Sequence, residues 1–332
     1  MNTIQKICCV AGKSGGHILP CLSFAKQHFS SHHLSLLFIS TDATLDKKIA
    51  AQFPEINDHL KLPLQNVPYR KWWRLPFFGL SFLWSIGITL RYLKKHRPSH
   101  IVSTGGFVSL PVCLAARLLG IPILLFELNV VPGKATLFLA QFATTIFICF
   151  KETQSSFKQQ CVLNAYPLRF TRDDKQRTPA QARALIGLAE NKKTLLILGG
   201  SQGSHFLNTL IQKMPLDRLS LYQIIHQTGI EQVAACTDFY ASHGISARVF
   251  AYRDDLAPYY QAADLLICRA GAGTLFEALF FEKKTIVIPL ETYTTDHQIA
   301  NAQAIHKGRP DLFTVLLQND LTQDPDLLSR QL

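Results

Sequence analysis

Asp264-Leu-Leu-Ile-Cys-Arg-Ala-Gly-Ala-Gly-Thr-Leu-Phe-Glu277 is the stretch on which the fold class turns. Residues 265–268 form an apolar run of strand length, Gly271 and Gly273 permit close backbone approaches, and Thr274 is placed to begin a helix. A helix starting there points unpaired N–H groups and the positive end of its dipole at whatever lies above the sheet, and a diphosphate is the natural occupant. Glu277, about one turn further on, repels phosphate but is placed to accept hydrogen bonds from ribose hydroxyls. Taken alone, the stretch fits an ordinary strand-turn-helix crossover equally well. Other glycine-rich turns decide between the two.

Working outward, residues 6–11 read as a buried first strand, followed by Gly12-Lys-Ser-Gly-Gly-His17 and a helix to about Phe29. The dinucleotide fingerprint fails because Ser14 occupies its second glycine position, and a Walker A loop fails because Ile7 stands where its first glycine belongs. His17, at the helix start, is the first candidate for acid/base work, although a lone histidine is more often structural. Thr104-Gly-Gly-Phe107 and Glu127-Leu-Asn-Val-Val-Pro-Gly133 follow two further strands, so three turns are expected side by side at the carboxyl edge of a parallel sheet. Residues 166–183 turn polar and proline-containing, which marks a linker. A second strand-helix alternation begins beyond it, with Gly199-Gly-Ser-Gln-Gly203 as another helix-opening loop. The expectation is an α/β chain of two Rossmann-like doubly wound domains facing each other across a cleft, 1–165 and 166–332.

At 332 residues with 48% hydrophobic and 17% charged residues, the chain has the composition of a protein with large cores. The eight cysteines are scattered without a C-x-x-C pair, and no apolar signal segment opens the sequence, so reduced core thiols in a cytoplasmic protein are expected. Residues 1–165 hold 17 Lys/Arg against 6 Asp/Glu and residues 166–332 hold 17 against 17, so all of the +11 net charge lies in the first half. An anionic surface met by that half alone is implied.

Residues 69–97 suggest which surface. Tyr69-Arg-Lys-Trp-Trp-Arg74 leads into an uncharged run over 75–90, closed by Arg91-Tyr-Leu-Lys-Lys-His-Arg97. Sixteen uncharged residues containing Pro76 and Gly79 fall short of the roughly 20 that span a bilayer. Aromatics flanked by basic residues suit an anionic membrane surface, with Trp72, Trp73, Phe77 and Phe78 among the headgroups, residues 69–79 as a membrane loop and residues 82–93 as a buried crossover helix. Nucleic acid is disfavoured, because the cations are interleaved with Trp and Phe beside an uncharged run.

Six motifs in order, Gly12 to His17, Gly105-Gly-Phe107, Glu127-Leu-Asn129, Gly199 to Gly203, Arg269 to Glu277 and Asp296-His-Gln-Ile-Ala-Asn301, resemble the MurG family, the GT-B glycosyltransferases of family 28 that complete lipid II. The resemblance covers essentially the whole chain. It implies an inverting transfer of GlcNAc from UDP-GlcNAc to the 4-hydroxyl of MurNAc in undecaprenyl-diphosphate-MurNAc-pentapeptide (lipid I), in peptidoglycan synthesis. It implies a peripheral protein at the cytoplasmic face of the cell membrane, with no cofactor and no metal. Carried over by position, His17 is the general base, and Ser14, Gly15, Gly16 and Asn129 line the acceptor side. Arg169 and Ser201 hold the diphosphate; Ala272, Gly273, Thr274, Leu275, Phe276 and Glu277 supply the helix start and ribose contact; Gln298 meets the GlcNAc hydroxyls. Lys13, Leu128 and Arg253 depart from the residues usual in that family. Another GT-B transferase with a lipid acceptor, or a nucleotide-sugar binder without catalysis, are the competing readings.

Overall fold

The computed structural model describes residues 5–12, 15–29, 34–64, 73, 75–291 and 297–332, in two compact units, Met1–Arg169 and Phe170–Leu332. The first unit runs β1 (Gln5–Val10), α1 (Gly15–His28), β2 (Leu34–Thr41), α2 (Thr44–Ala50), β3 (Ile56–Leu62) and α3 (Leu75–His96). It continues with β4 (His100–Ser103), α4 (Ser109–Leu118), β5 (Ile123–Glu127), α5 (Lys134–Ala140), β6 (Thr145–Ile148) and β7 (Val162–Leu163). Among the described residues these strands form one parallel sheet in the order β3-β2-β1-β4-β5-β6-β7. Helices cover both faces of such a sheet, so its central strands are continuous apolar runs such as Ile7-Cys-Cys-Val10, all buried. Residues Val10, Ile39, Ile101 and Leu125 pack with Val112 and Cys113 of α4 into the core.

The second unit runs α6 (Pro179–Leu185), β8 (Thr194–Leu198), α7 (His205–Gln212), α8 (Leu216–Leu219), β9 (Gln223–Gln227), α9 (Val233–Ser242), β10 (Ala247–Phe250) and α10 (Ala257–Ala262). After these come β11 (Leu265–Cys268), α11 (Ala272–Phe280), β12 (Lys284–Val287), α12 (His297–Gly308), β13 (Phe313–Val315), α13 (Gln318–Gln323) and α14 (Asp326–Ser329). Its described strands pair in parallel in the order β10-β9-β8-β11-β12-β13. Each sheet therefore has a point where the chain, having moved outward on one side, returns to the other side of its first strand. In the first unit it falls between β1 and β4, in the second between β8 and β11, and such points open a crevice at the carboxyl edge.

Some elements differ from the sequence expectation or carry no signal in it. The β3 strand, Ile-Asn-Asp-His-Leu-Lys-Leu, lies at a sheet edge, where one side is wet and the apolar run is diluted by polar residues. Part of the expected linker is structured: Thr178 caps α6 through a reciprocal capping box with Gln181. The helix after β11 begins at Ala272, two residues before Thr274, with Gly271 as its cap.

The expected membrane loop also changes character. Residues from Leu75 onward are already helical, and α3 turns Phe78, Phe82, Ser85, Thr89 and Leu93 inward. Phe78 is half-buried, stacked on Phe82 and lying 5.4 Å from the Phe107 ring, and so does not join the exposed face. That face consists of Phe77, Leu80, Leu83 and Trp84, with Trp73 preceding the helix, each more than half exposed at 73%, 66%, 64%, 60% and 54%. Trp72 lies outside the described residues. No described helix is long and apolar enough to cross a membrane.

Candidate active site

In the first unit the three expected turns follow β1, β4 and β5, which are neighbours in the sheet, so they stand side by side at its carboxyl edge. His17 is the third residue of α1 and Thr104 follows β4, and the two meet across the β1/β4 switch point. Nδ1 of His17 lies 3.0 Å from the Thr104 carbonyl oxygen, while the Thr104 hydroxyl donates to the His17 carbonyl at 3.0 Å. A carbonyl only accepts, so Nδ1 carries a proton, and in the neutral ring Nε2 then carries the lone pair. The imidazole is thereby held in the tautomer that can take a proton. Gly15 and Gly16 form the first residues of α1, and Ser14 lies outside the described residues.

The turn after β5 is organised by Glu127, a buried carboxylate that sequence reasoning did not select. Its Oε1 accepts from the backbone N–H groups of Leu128 and Asn129, both at 2.9 Å, and from the Asn129 amide at 3.2 Å. Its Oε2 accepts from Gly133 N–H at 3.3 Å, and Thr153 fixes the Asn129 carbonyl from outside the turn. These four N–H donors compensate the burial of the carboxylate. Asn129 therefore owes its position to Glu127. The clue in the sequence was an acidic residue closing an otherwise apolar strand, Ile-Leu-Leu-Phe-Glu127.

In the second unit, the loop after β8 and the loop after β11 flank the other switch point. Ser201 sits at the exposed tip of the first loop. Gly203, at φ +79°, abuts the Thr228 carbonyl so closely that a Cβ there would collide with it, which lets β8 and β9 close on one another beneath the loop. Ser204 caps α7 by accepting from Leu207 N–H. Across the switch point Arg269 donates Nε to the same Ser204 hydroxyl at 3.0 Å and Nη1 to the carbonyls of Ile288 and Pro289 at 3.2 Å each. Burial pushes its pKa down to about 10, partly offset by Glu291, so the guanidinium remains a cation at neutral pH.

Ala272, Gly273 and Thr274 are the first turn of α11, whose cap, Gly271, has no side chain to satisfy their N–H groups. Leu275 is buried, while Phe276 and Glu277 are half-buried in the next turn. Gln298 is partly committed: its Oε1 accepts from Ala270 N–H at 3.2 Å and Leu290 N–H at 2.9 Å, leaving its amide nitrogen as the group that can donate to a sugar. Arg169 is half-buried at the end of the first unit.

Behind the second loop lies a polar cluster not anticipated from sequence. Buried His226 contacts the Asn208 carbonyl through Nε2 at 3.0 Å and the Tyr240 hydroxyl through Nδ1 at 2.9 Å, while the Asn208 amide donates to Thr228 O and to Gln232. A neutral imidazole satisfies every member, and burial pushes the His226 pKa down to about 3.

The described arrangement is a base-competent histidine in one doubly wound unit and an uncapped helix start, that of α11, near a buried cation in the other. Models of the glycosyltransferase family 28 N-terminal and C-terminal domains match residues 7–148 and 194–332. The UDP-N-acetylglucosamine--N-acetylmuramyl-(pentapeptide) pyrophosphoryl-undecaprenol N-acetylglucosamine transferase of Thermosipho africanus is 31% identical over 91% of this chain and 84% of its own length. The transferase of the same name from Protochlamydia amoebophila is 32% identical over 88% and 78%. The crystal structure of Acinetobacter baumannii MurG superposes with a TM-score of 0.71 at 27% identity, covering 98% of this chain and 89% of that one. This chain belongs to the MurG family. Its two sheets are accordingly the paired Rossmann-like domains of the GT-B fold, and it is a glycosyltransferase. Both family 28 domain matches include a switch point, with His17 and Thr104 in the first and Ser204, Arg269 and α11 in the second.

Proposed function

We propose that this chain transfers GlcNAc from UDP-GlcNAc to the 4-hydroxyl of MurNAc in undecaprenyl-diphosphate-MurNAc-pentapeptide, converting lipid I to lipid II, with inversion at the sugar carbon. The observation that carries the mechanism is the His17–Thr104 pairing, which fixes a base-competent Nε2. Nε2 takes the proton of the acceptor hydroxyl as its oxygen bonds to C1 of GlcNAc, and UDP departs with the electron pair of the broken C1–O bond. The charge that develops on the diphosphate is met by the open N–H groups of α11, with Ser201 and Arg169 as further donors. Glu277 accepts from the ribose, the Gln298 amide donates to GlcNAc, and Asn129, Gly15, Gly16 and Ser14 line the acceptor side. Residues 1–165 form the acceptor- and membrane-binding domain, and 166–332 bind UDP-GlcNAc.

The exposed face of α3 supports a peripheral position at the cytoplasmic face of the membrane. Phe77, Leu80 and Trp84 follow one another at helical spacing, and Lys94, Lys95 and His96 close the helix. Replacing Phe77 and Trp84 together by serine should weaken binding to anionic phospholipid vesicles at least tenfold, since each apolar side chain contributes roughly 1.5–3 kcal/mol on burial. Undiminished binding in a sedimentation assay would remove this face from the membrane contact. The transfer itself is tested by UDP release from UDP-GlcNAc with a short-chain lipid I analogue, with UDP-Glc and UDP-GalNAc alongside. Acceptor-dependent release from UDP-GlcNAc alone is expected. Release from another donor only would favour a different lipid-directed transferase.

A further inference from the structure

We infer that Tyr260 is a positioning residue for nucleotide recognition, holding the Glu277 carboxylate in the orientation from which it accepts the ribose hydroxyls. This rests on the ribose role proposed for Glu277. Tyr260 lies on α10, immediately before β11, and Glu277 lies on α11, immediately after it, so the strand brings the two helices together at its ends. The phenol hydroxyl is 2.9 Å from Glu277 Oε2. A phenol donates and a carboxylate accepts, so the bond has one direction.

The phenol is a rigid support. Tyr260 is fully buried, its ring lies parallel to Phe281 at 5.0 Å and 7°, and Phe170 meets it edge-on at 6.2 Å. Phe170 also packs on Phe281 at 5.1 Å, so two mutually packed rings hold the phenol in place. Glu277 is only half-buried, and an unsupported glutamate of that kind spreads over many rotamers. Fixing it before ligand arrives removes that ordering cost from the binding step. The phenol uses one of the roughly four lone-pair positions of the carboxylate.

The test is calorimetric binding of UDP and of 2′,3′-dideoxy-UDP to the purified full chain, read as the preference for UDP over its dideoxy analogue. Tyr260→Phe keeps the ring packing and should reduce that preference about tenfold while leaving the affinity for dideoxy-UDP unchanged. Glu277→Ala should abolish the preference, and the double variant should lose no more than Glu277→Ala alone. Full preference in Tyr260→Phe, with none in Glu277→Ala, overturns the positioning role and leaves the ribose reading standing. Equal weakening of both ligands by Tyr260→Phe also overturns it, because packing alone then accounts for the loss. Full preference in Glu277→Ala overturns the ribose reading and the inference together. If circular dichroism shows that Tyr260→Phe does not fold, Glu277→Asp draws the carboxylate back from the phenol by one methylene, and an undiminished preference in that variant overturns the inference.

Discussion

The two switch points have the same topology and opposite electrostatics. Between β1 and β4, an imidazole is tied to a carbonyl, and the neighbouring turn is gathered around the buried carboxylate of Glu127, which uses up the loop's N–H groups internally. Between β8 and β11, a buried guanidinium takes up a hydroxyl and two carbonyls, and the N–H groups at the start of α11 stay without a side-chain cap. A buried anion that consumes donors makes an edge suited to a neutral hydroxyl and a base. A buried cation that consumes acceptors leaves an edge suited to a diphosphate. Under the proposed mechanism one architecture serves opposite halves of a transfer reaction, through one buried charge of each sign.

Removing the base is the sharpest way to break this comparison. His17→Ala should lower kcat by about 10²–10⁴-fold with UDP affinity unchanged, because the proposed base and the proposed anion edge belong to different domains. A parallel loss of UDP binding would end the division of labour. Arg269→Met leaves Ser204 and two carbonyls without their donor, and should cost about 3 kcal/mol of stability in denaturant unfolding. It should also weaken UDP binding at least tenfold, and unaltered UDP affinity would disconnect the buried cation from the anion edge.

Acid separates the units by a different route. His226 has an unfolded pKa near 6.5 and a folded one of about 3, so the unfolded chain binds the extra proton first. Its contribution is complete above about pH 6.5 and is lost as pH falls toward 3, amounting to about 2 kcal/mol at pH 5. Unfolding of His226→Gln should lack that part of the pH dependence. Thr104→Val, the mildest change, removes the hydroxyl bond to His17 but keeps the carbonyl that sets the tautomer. A loss in kcat of about tenfold or less is expected, and a loss as large as that of His17→Ala would place more of the orientation in the hydroxyl than in the carbonyl.

The central strands were legible because a parallel sheet covered on both faces writes itself as apolar runs ending in small residues. Edge strands β3, β7 and β13 were not, since half-wet or very short strands lack that signal. Among the apolar residues of α3, composition indicated an amphipathic surface but picked Phe78 over Leu80, Leu83 and Trp84, because a segment apolar all round does not reveal which side its neighbours cover. The glycine turns, His17, Asn129 and the helix start near Glu277 were visible as residue types at strand ends.

The amino-acid sequence by itself determined the two doubly wound domains, their loops and the residue types offered at each carboxyl edge, because strand and turn preferences act over a few neighbouring positions. Only the tertiary structure decided which polar groups complete one another. Thr104 sets the tautomer of a histidine 87 residues away, Arg269 meets Ser204 across 65, and Tyr260 meets Glu277 across 17. Such pairings leave no local periodicity in the chain. They arise when folding removes water from groups that must then find partners in each other.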